Sequence, residues 1–112
     1  MVEHSVTDLD AVFHALANET RRSILTQLRR ANATVTELAD PHQMSFAAVS
    51  KHLGVLAGAG LLEVTPEGRY RRYQIVREPL GDIAEVIEFY RTFWEDRIDG
   101  LEAYLASLRT RS

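Results

Sequence analysis

Apolar residues recur at steps of three and four along the first half of the chain, and this pattern predicts four short helices. They are expected over about residues 8–17, 18–30, 34–41 and 45–58. A residue type that caps helix N-termini well lies at or just before the start of each range, namely Thr7, Asn18, Thr34 and Ser45. The fourth helix is expected to bury one apolar face, formed by Phe46, Val49, Leu53 and Leu56.

The second half of the chain changes its pattern. Two segments, 61–65 and 69–76, are rich in β-branched and aromatic side chains, which predicts β-strands. The Pro-Glu-Gly segment 66–68 between them predicts a turn, so we expect a β-hairpin. One apolar stripe then continues from about residue 79 to 109. It comprises Leu80, Ile83, Ile87, Tyr90, Trp94, Ile98, Leu101, Leu105 and Leu108. Because a small helical core does not need so long a stripe, part of it is expected to meet a second chain.

This order of elements predicts a mainly α (α+β) fold, a winged helix-turn-helix of five helices with a β-hairpin wing and a helical dimer interface. The length of 112 residues fits one domain over 1–112. Within it we expect the helix-turn-helix at about 34–58, the wing at about 61–76 and a terminal dimerisation helix at about 79–109.

Composition excludes several classes of function. The chain has no cysteine, which removes disulfides, thiolate catalysis and thiolate metal ligands. It has no phosphate-binding loop and no nucleophile elbow, so we expect no enzyme and no cofactor. No apolar run is long enough to span a bilayer, and the polar N-terminus does not resemble a secretory signal. A cytoplasmic protein without a membrane partner is expected.

Charge is distributed unevenly along the chain. The net charge is −3, but residues 13–77 hold nine Lys/Arg against five Asp/Glu, whereas the two flanks hold four against eleven. A basic middle between acidic ends suggests that one face meets phosphates. Chance fluctuation in a short chain is the alternative.

The fourth helix is the candidate for DNA recognition. The major groove of B-DNA accepts one α-helix, provided that the side facing the bases carries small or polar residues. The expected DNA-contacting residues here are Ser45, Ala47, Ala48, Ser50, Lys51 and His52. For His52 the alternative is a solvated histidine on an exposed face.

The predicted wing adds basic residues to this face. Arg69, Arg71 and Arg72 are expected to contact DNA, with Arg69 and Arg71 on one side of the strand and Arg72 on the other. Arg21 and Arg22 at the start of the second helix are expected to contact the backbone. A solvated strand edge is the alternative for the wing arginines.

Several segments together resemble the ArsR family of transcriptional regulators. Residues 15–22 (ALANETRR) are similar to the entry into the second helix of that family, and 49–53 (VSKHL) with 60–62 (GLL) are similar to its recognition helix and first wing strand. Gly68, Arg69 and Tyr73 match its wing, and 93–98 (FWEDRI) resembles the last helix of one subgroup. The resemblance covers about residues 8–108.

The resemblance implies a homodimer joined by the first and last helices, and repression relieved by a small-molecule inducer or another signal. The expected dimerisation residues are Leu9, Phe13, Ile83, Ile87, Tyr90, Trp94, Ile98 and Leu101. The chain departs from metal-sensing members of the family: Ala39 follows Glu37 and Leu38 where they have a cysteine, and no histidine follows His52. No metal site is therefore expected.

Two alternatives remain open from the sequence. A winged helix also serves as a protein–protein interaction module without specific DNA binding, and the acidic flanks suit a basic partner. Separately, the aromatic residues Tyr90, Phe93, Trp94 and Tyr104 line either a ligand pocket or a packing interface, and their helical spacing favours packing.

Overall fold

The computed structural model describes residues 7–111, except for the side chains of His42 and Arg111. The chain forms two compact units that divide between Asp82 and Ile83. The first unit contains α1 (Leu9–Leu16), α2 (Glu19–Arg30), β1 (Ala33–Thr34), α3 (Val35–His42), α4 (Phe46–Gly58), β2 (Leu62–Glu67), β3 (Tyr70–Ile75) and the start of α5 (Glu78–Arg111). The predicted five helices and hairpin are therefore confirmed, and the fold is a winged helix-turn-helix.

Local side-chain hydrogen bonds explain where the helices begin. Asn18 accepts from the amide of Arg21 at 3.0 Å, and Thr34 forms a full capping box with Glu37. The prediction for α1 is wrong by one residue, because Asp8, not Thr7, accepts from the amide of Ala11. The hydroxyl of Thr7 donates instead to the carboxylate of Asp82.

The wing differs from the sequence prediction in its turn. Pro66 and Glu67 extend β2, and the turn is the pair Gly68 and Arg69. Gly68 has a φ of +61°, a backbone conformation that suits glycine at the tip of a tight hairpin. β3 lies in the middle of an antiparallel sheet of order β1-β3-β2, in which the short β1 was not predicted.

The core of the first unit comes mainly from α1, α2, α3 and α4, together with Leu61 just before β2. The fully buried apolar side chains are Val12, Ala15, Ile24, Leu38, Val49, Leu53, Leu56 and Leu61. Three of them, Val49, Leu53 and Leu56, lie on one face of α4 and hold this helix against the rest of the unit. The remaining side of α4 stays exposed or half-buried.

The second unit is the continuation of α5 from Ile83 onward. Arg91 links two turns of this helix, because it pairs with Glu88 at 2.7 Å and with Glu95 at 2.5 Å. The hydrogen bond from Arg91 lowers the pKa of Glu88. Over the part of the chain that the structure describes, no helix combines the length and the apolar character needed to cross a membrane.

Candidate nucleic-acid interface

The helix-turn-helix is formed by α3, a three-residue turn over 43–45, and α4. Gln43 ends α3 in the left-handed conformation with a φ of 52°, and its amide donates to the carbonyl of Asp40 at 3.1 Å. Ser45 then begins α4, because its hydroxyl accepts from the amide of Ala48 at 3.1 Å. Local hydrogen bonds therefore end α3 and begin α4 within this short turn.

One side of α4 carries short or polar residues and faces away from the core. Ala47, Lys51 and Gly54 are exposed and lie opposite the buried Val49 and Leu53, as the helical repeat requires. The side is therefore narrow enough for its backbone to approach another molecule closely. Three further residues expected to contact DNA flank this side and are half-buried, namely Ala48, Ser50 and His52.

The prediction that Phe46 belongs to the core is wrong. This side chain is 62% exposed, although its spacing from Val49 fits an apolar stripe. Phe46 lies in the first turn of α4, where it lines a small cleft of about 230 Å³ together with Ser50, Arg69 and Tyr70. An aromatic side chain therefore lies at the junction of α4 and the wing, and sequence periodicity gave no signal for this exposure.

Arg21 has an internal role that the sequence analysis did not predict. The residue is only 8% exposed, and its Nε and one terminal nitrogen donate to the carbonyls of Ala15 and His14 at 2.7 and 2.9 Å. Its other terminal nitrogen lies 3.4 Å from Nδ1 of His52 on α4. Arg21 therefore joins α1, α2 and α4, whereas the neighbouring Arg22 is exposed and donates to the carbonyl of Leu16 at 2.8 Å.

The three wing arginines have different surroundings. Arg69 belongs to the turn, so the predicted alternation of strand faces does not apply to it. Arg71 is exposed on β3 beside it, and neither guanidinium forms a hydrogen bond or ion pair with the described residues. Arg72 pairs with Glu67 and, at 3.4 Å, with Glu37.

The hydrogen bonds and ion pairs around Arg72 shift the pKa values of Glu37 and of Arg72 itself. The pKa of Glu37 is lowered, chiefly because the backbone amide of Thr34 donates to its carboxylate and secondarily because the Thr34 hydroxyl does so. The hydrogen bond to Glu67 raises the pKa of Arg72. The charge of Arg72 is therefore balanced within the protein, whereas Arg69 and Arg71 are the wing cations that face solvent.

The residues expected at a dimer interface are exposed to different degrees. In α1, Leu9 is half-buried and Phe13 is exposed. In α5, Ile83 is buried, whereas the others expected there, Ile87, Tyr90, Trp94, Ile98 and Leu101, are all exposed. Phe89 was not predicted; it is 66% exposed and stacks edge-to-face on Tyr90 with the ring centres 5.2 Å apart.

Comparisons with known proteins agree with this architecture. Residues 16–65 match a family model described as a helix-turn-helix domain. The HTH-type transcriptional regulator Rv2034 of Mycobacterium tuberculosis is 38% identical over 91 residues, which cover 81% of this chain and 82% of that protein.

Solved structures extend the similarity to the fold. A crystal structure of an ArsR family transcriptional regulator has a TM-score of 0.71 and 34% identity, covering 85% of this chain and 97% of that one. An ArsR-like transcriptional regulator from Rhodococcus sp. RHA1 has a TM-score of 0.67 and 36% identity, covering 83% and 88%. Transcriptional regulation is a non-enzymatic role. The chain belongs to the ArsR family of winged helix-turn-helix regulators, which bind DNA.

Proposed function

We propose that the chain acts as a homodimer that binds an inverted-repeat operator in double-stranded DNA and represses nearby genes. The observation that carries this proposal is the asymmetry of α4. Val49, Leu53 and Leu56 are fully buried on one side, and the opposite side presents Ala47, Lys51 and Gly54 to solvent. A helix of this kind can enter a major groove without withdrawing any core residue.

In this arrangement the outer side of α4 contacts base edges. Lys51 lies at the centre of that side, and Ser50 and His52 flank it. Ser45 begins the helix, so the amides of its first turn point toward a nearby phosphate, where the helix dipole favours negative charge. Ala47 and Ala48 keep the first turn small enough for close approach to the bases.

The wing supplies contacts that do not depend on sequence. Arg69 and Arg71 are exposed beside α4, and each neutralised phosphate releases counterions and strengthens binding at low salt. Arg22 extends this contact from α2. We leave Arg21 and Arg72 out of the proposed DNA contacts, because both already have partners inside the protein.

The homodimer rests on the apolar surface of α5. Five of its expected interface residues are exposed, and contiguous exposed apolar surface on a small protein marks a site of association. Phe13 on α1 is a further exposed apolar residue among those expected at the interface. A two-fold dimer requires an operator of matching symmetry, with half-site centres about 10 bp apart or a multiple of that distance.

Family membership supports the remaining part of the proposal. A repressor of this family occupies its operator until a small-molecule inducer or another signal weakens the complex. The DNA that it binds lies in the cytoplasm, so we place the protein there. It needs no membrane partner for this role.

A mobility-shift assay with the DNA upstream of the gene that encodes this chain tests the proposal. The wild-type protein should retard this DNA at concentrations that leave random DNA free. Ser50→Ala should reduce the preference for the specific site, whereas Ser23→Ala, which removes an exposed hydroxyl from α2, should not. If Ser50→Ala lost the same amount of affinity for specific and for random DNA, the result would count against α4 as the recognition helix.

Sedimentation equilibrium tests the dimer independently of DNA. The expected mass is twice 12.7 kDa at micromolar concentration. Trp94→Glu should shift the protein toward a monomer, because it introduces a charge into the proposed apolar interface, whereas Asp99→Asn on the same helix should not. A wild-type monomer at these concentrations contradicts the proposal.

A further inference from the structure

A groove outside the proposed DNA interface lies within the first unit. Its walls are the C-terminal half of α2, the end of β3 and the first turns of α5, and its volume is about 730 Å³. This volume lies within the range of roughly 300–1,000 Å³ that is typical of sites for small organic ligands. None of its lining residues belongs to the DNA contacts proposed above.

The walls of the groove are largely aliphatic. Leu25 and Leu28 contribute from α2, Ile75 from β3 and Leu80 from α5. Leu28 is buried, and the other three are half-buried, so a part of each side chain faces the groove. Apolar surface of this kind favours an occupant that brings a hydrocarbon or aromatic body, because burial of both surfaces from water is favourable.

The charges around the groove have one sign. Arg29 and Arg77 line it and are both exposed, and neither guanidinium forms a hydrogen bond or ion pair with the described part of the chain. No aspartate or glutamate is found among the lining residues that the structure describes, although the chain has 16 acidic residues against 13 Lys and Arg. One lining residue, Gln74, contacts an acid outside the lining, because its side-chain amide donates to the carboxylate of Glu63 at 3.2 Å.

We propose that this groove binds an amphipathic organic carboxylate. The carboxylate pairs with the guanidinium groups of Arg29 and Arg77, which are suited to planar, charge-assisted hydrogen bonds. The apolar body lies against the leucines and Ile75. An inorganic anion would bury none of the aliphatic surface, and a neutral apolar molecule would leave both cations without a partner. Each should therefore bind more weakly than a molecule that has both a carboxylate and an apolar body.

Binding to the full chain in the absence of DNA tests this proposal, and the result does not depend on the proposed function. The probes are decanoate and decanol, compared by isothermal titration calorimetry below the micelle-forming concentration of decanoate. We expect one decanoate per chain, bound at least about tenfold more tightly than decanol, because only decanoate pairs with both arginines.

Three variants of matched charge locate the site. Arg29→Gln and Arg77→Gln should each weaken decanoate binding about tenfold or more and leave decanol binding unchanged. Arg30→Gln removes the same charge from the next residue of α2, whose side chain lines a different pocket, and should bind decanoate as the wild type does.

Two results overturn the proposal. One is that the wild-type chain binds decanoate no more tightly than it binds decanol. This result needs only the wild-type chain, so it decides the matter even if a variant fails to fold. The other is an equal loss of decanoate affinity in Arg30→Gln and Arg77→Gln, since it would show that decanoate is attracted only by the overall positive charge. Loss of operator binding with decanoate binding retained would contradict the proposed function alone.

Discussion

Replacement of Arg21 by alanine distinguishes two roles for this residue, the contact with the DNA backbone that the sequence predicts and the internal hydrogen bonds that the structure shows. As a phosphate contact, it would affect DNA binding alone. In the structure it donates to the carbonyls of Ala15 and His14, at the end of α1, and it is 8% exposed. We therefore expect Arg21→Ala to destabilise the fold before it affects any DNA contact.

The expected magnitude follows from these two hydrogen bonds. A hydrogen bond to a charged group contributes about 1.5–3 kcal/mol. The carbonyl of His14 keeps a second donor in the variant, because the amide of Ala17 also reaches it at 3.2 Å, so the loss there is small. The carbonyl of Ala15 loses its charged donor. We expect the free energy of unfolding to fall by about 2–4 kcal/mol.

Urea denaturation followed by circular dichroism measures this change. All variants must be compared at one protein concentration, because association stabilises a folded chain by mass action. Arg22→Ala is the matched control: it removes the same charge from an exposed neighbour, and its effect should stay within about 1 kcal/mol. A stability of Arg21→Ala equal to that of the control, together with a reduced salt dependence of DNA binding, would refute the internal role.

Three further predictions concern the interface and its support. Arg71→Gln should weaken binding to specific and random DNA alike and lower the salt slope by about 1 in a titration of affinity against salt; an unchanged slope contradicts the phosphate contact. Phe46→Ser should change the free energy of unfolding in urea by less than about 1 kcal/mol, whereas a buried phenylalanine would lose about 3–5 kcal/mol. The lowered pKa of Glu37 implies stability that is present above the usual glutamate pKa of about 4.3 and is lost as pH falls through the lower folded value. As pH is lowered through that range, the urea midpoint should therefore fall more for the wild type than for Glu37→Gln. Parallel curves of urea midpoint against pH for the two proteins would contradict the lowered pKa.

Local chemistry explains what the sequence predicted well. The caps at Asn18, Thr34 and Ser45 depend on hydrogen bonds that span three residues, so the sequence contains both partners of each bond. The buried face of α4 likewise follows from helical periodicity. These features are sufficient to predict five helices and a wing in the observed order.

Long-range contacts explain what the sequence did not predict. β1 consists of two residues that are extended because Ala33 pairs with Tyr73 and Thr34 with Arg72, forty and thirty-eight positions later. Arg21 is buried because the end of α1 turns its carbonyls toward it. Phe46 fits the apolar spacing of α4, but it lies in the first turn beside the wing, where no core surrounds it.

The central claim is that the outer side of α4 enters the major groove, and cleavage of DNA from that side tests it most directly. The chain has no cysteine, so Gly54→Cys introduces a single attachment point for an iron chelate, and a Cβ at Gly54 meets no atom within 4 Å. With the operator bound, we predict cuts inside each half-site, whereas Ser107→Cys on α5 gives none there. Cuts absent from both half-sites while the labelled protein still binds the operator would contradict the claim.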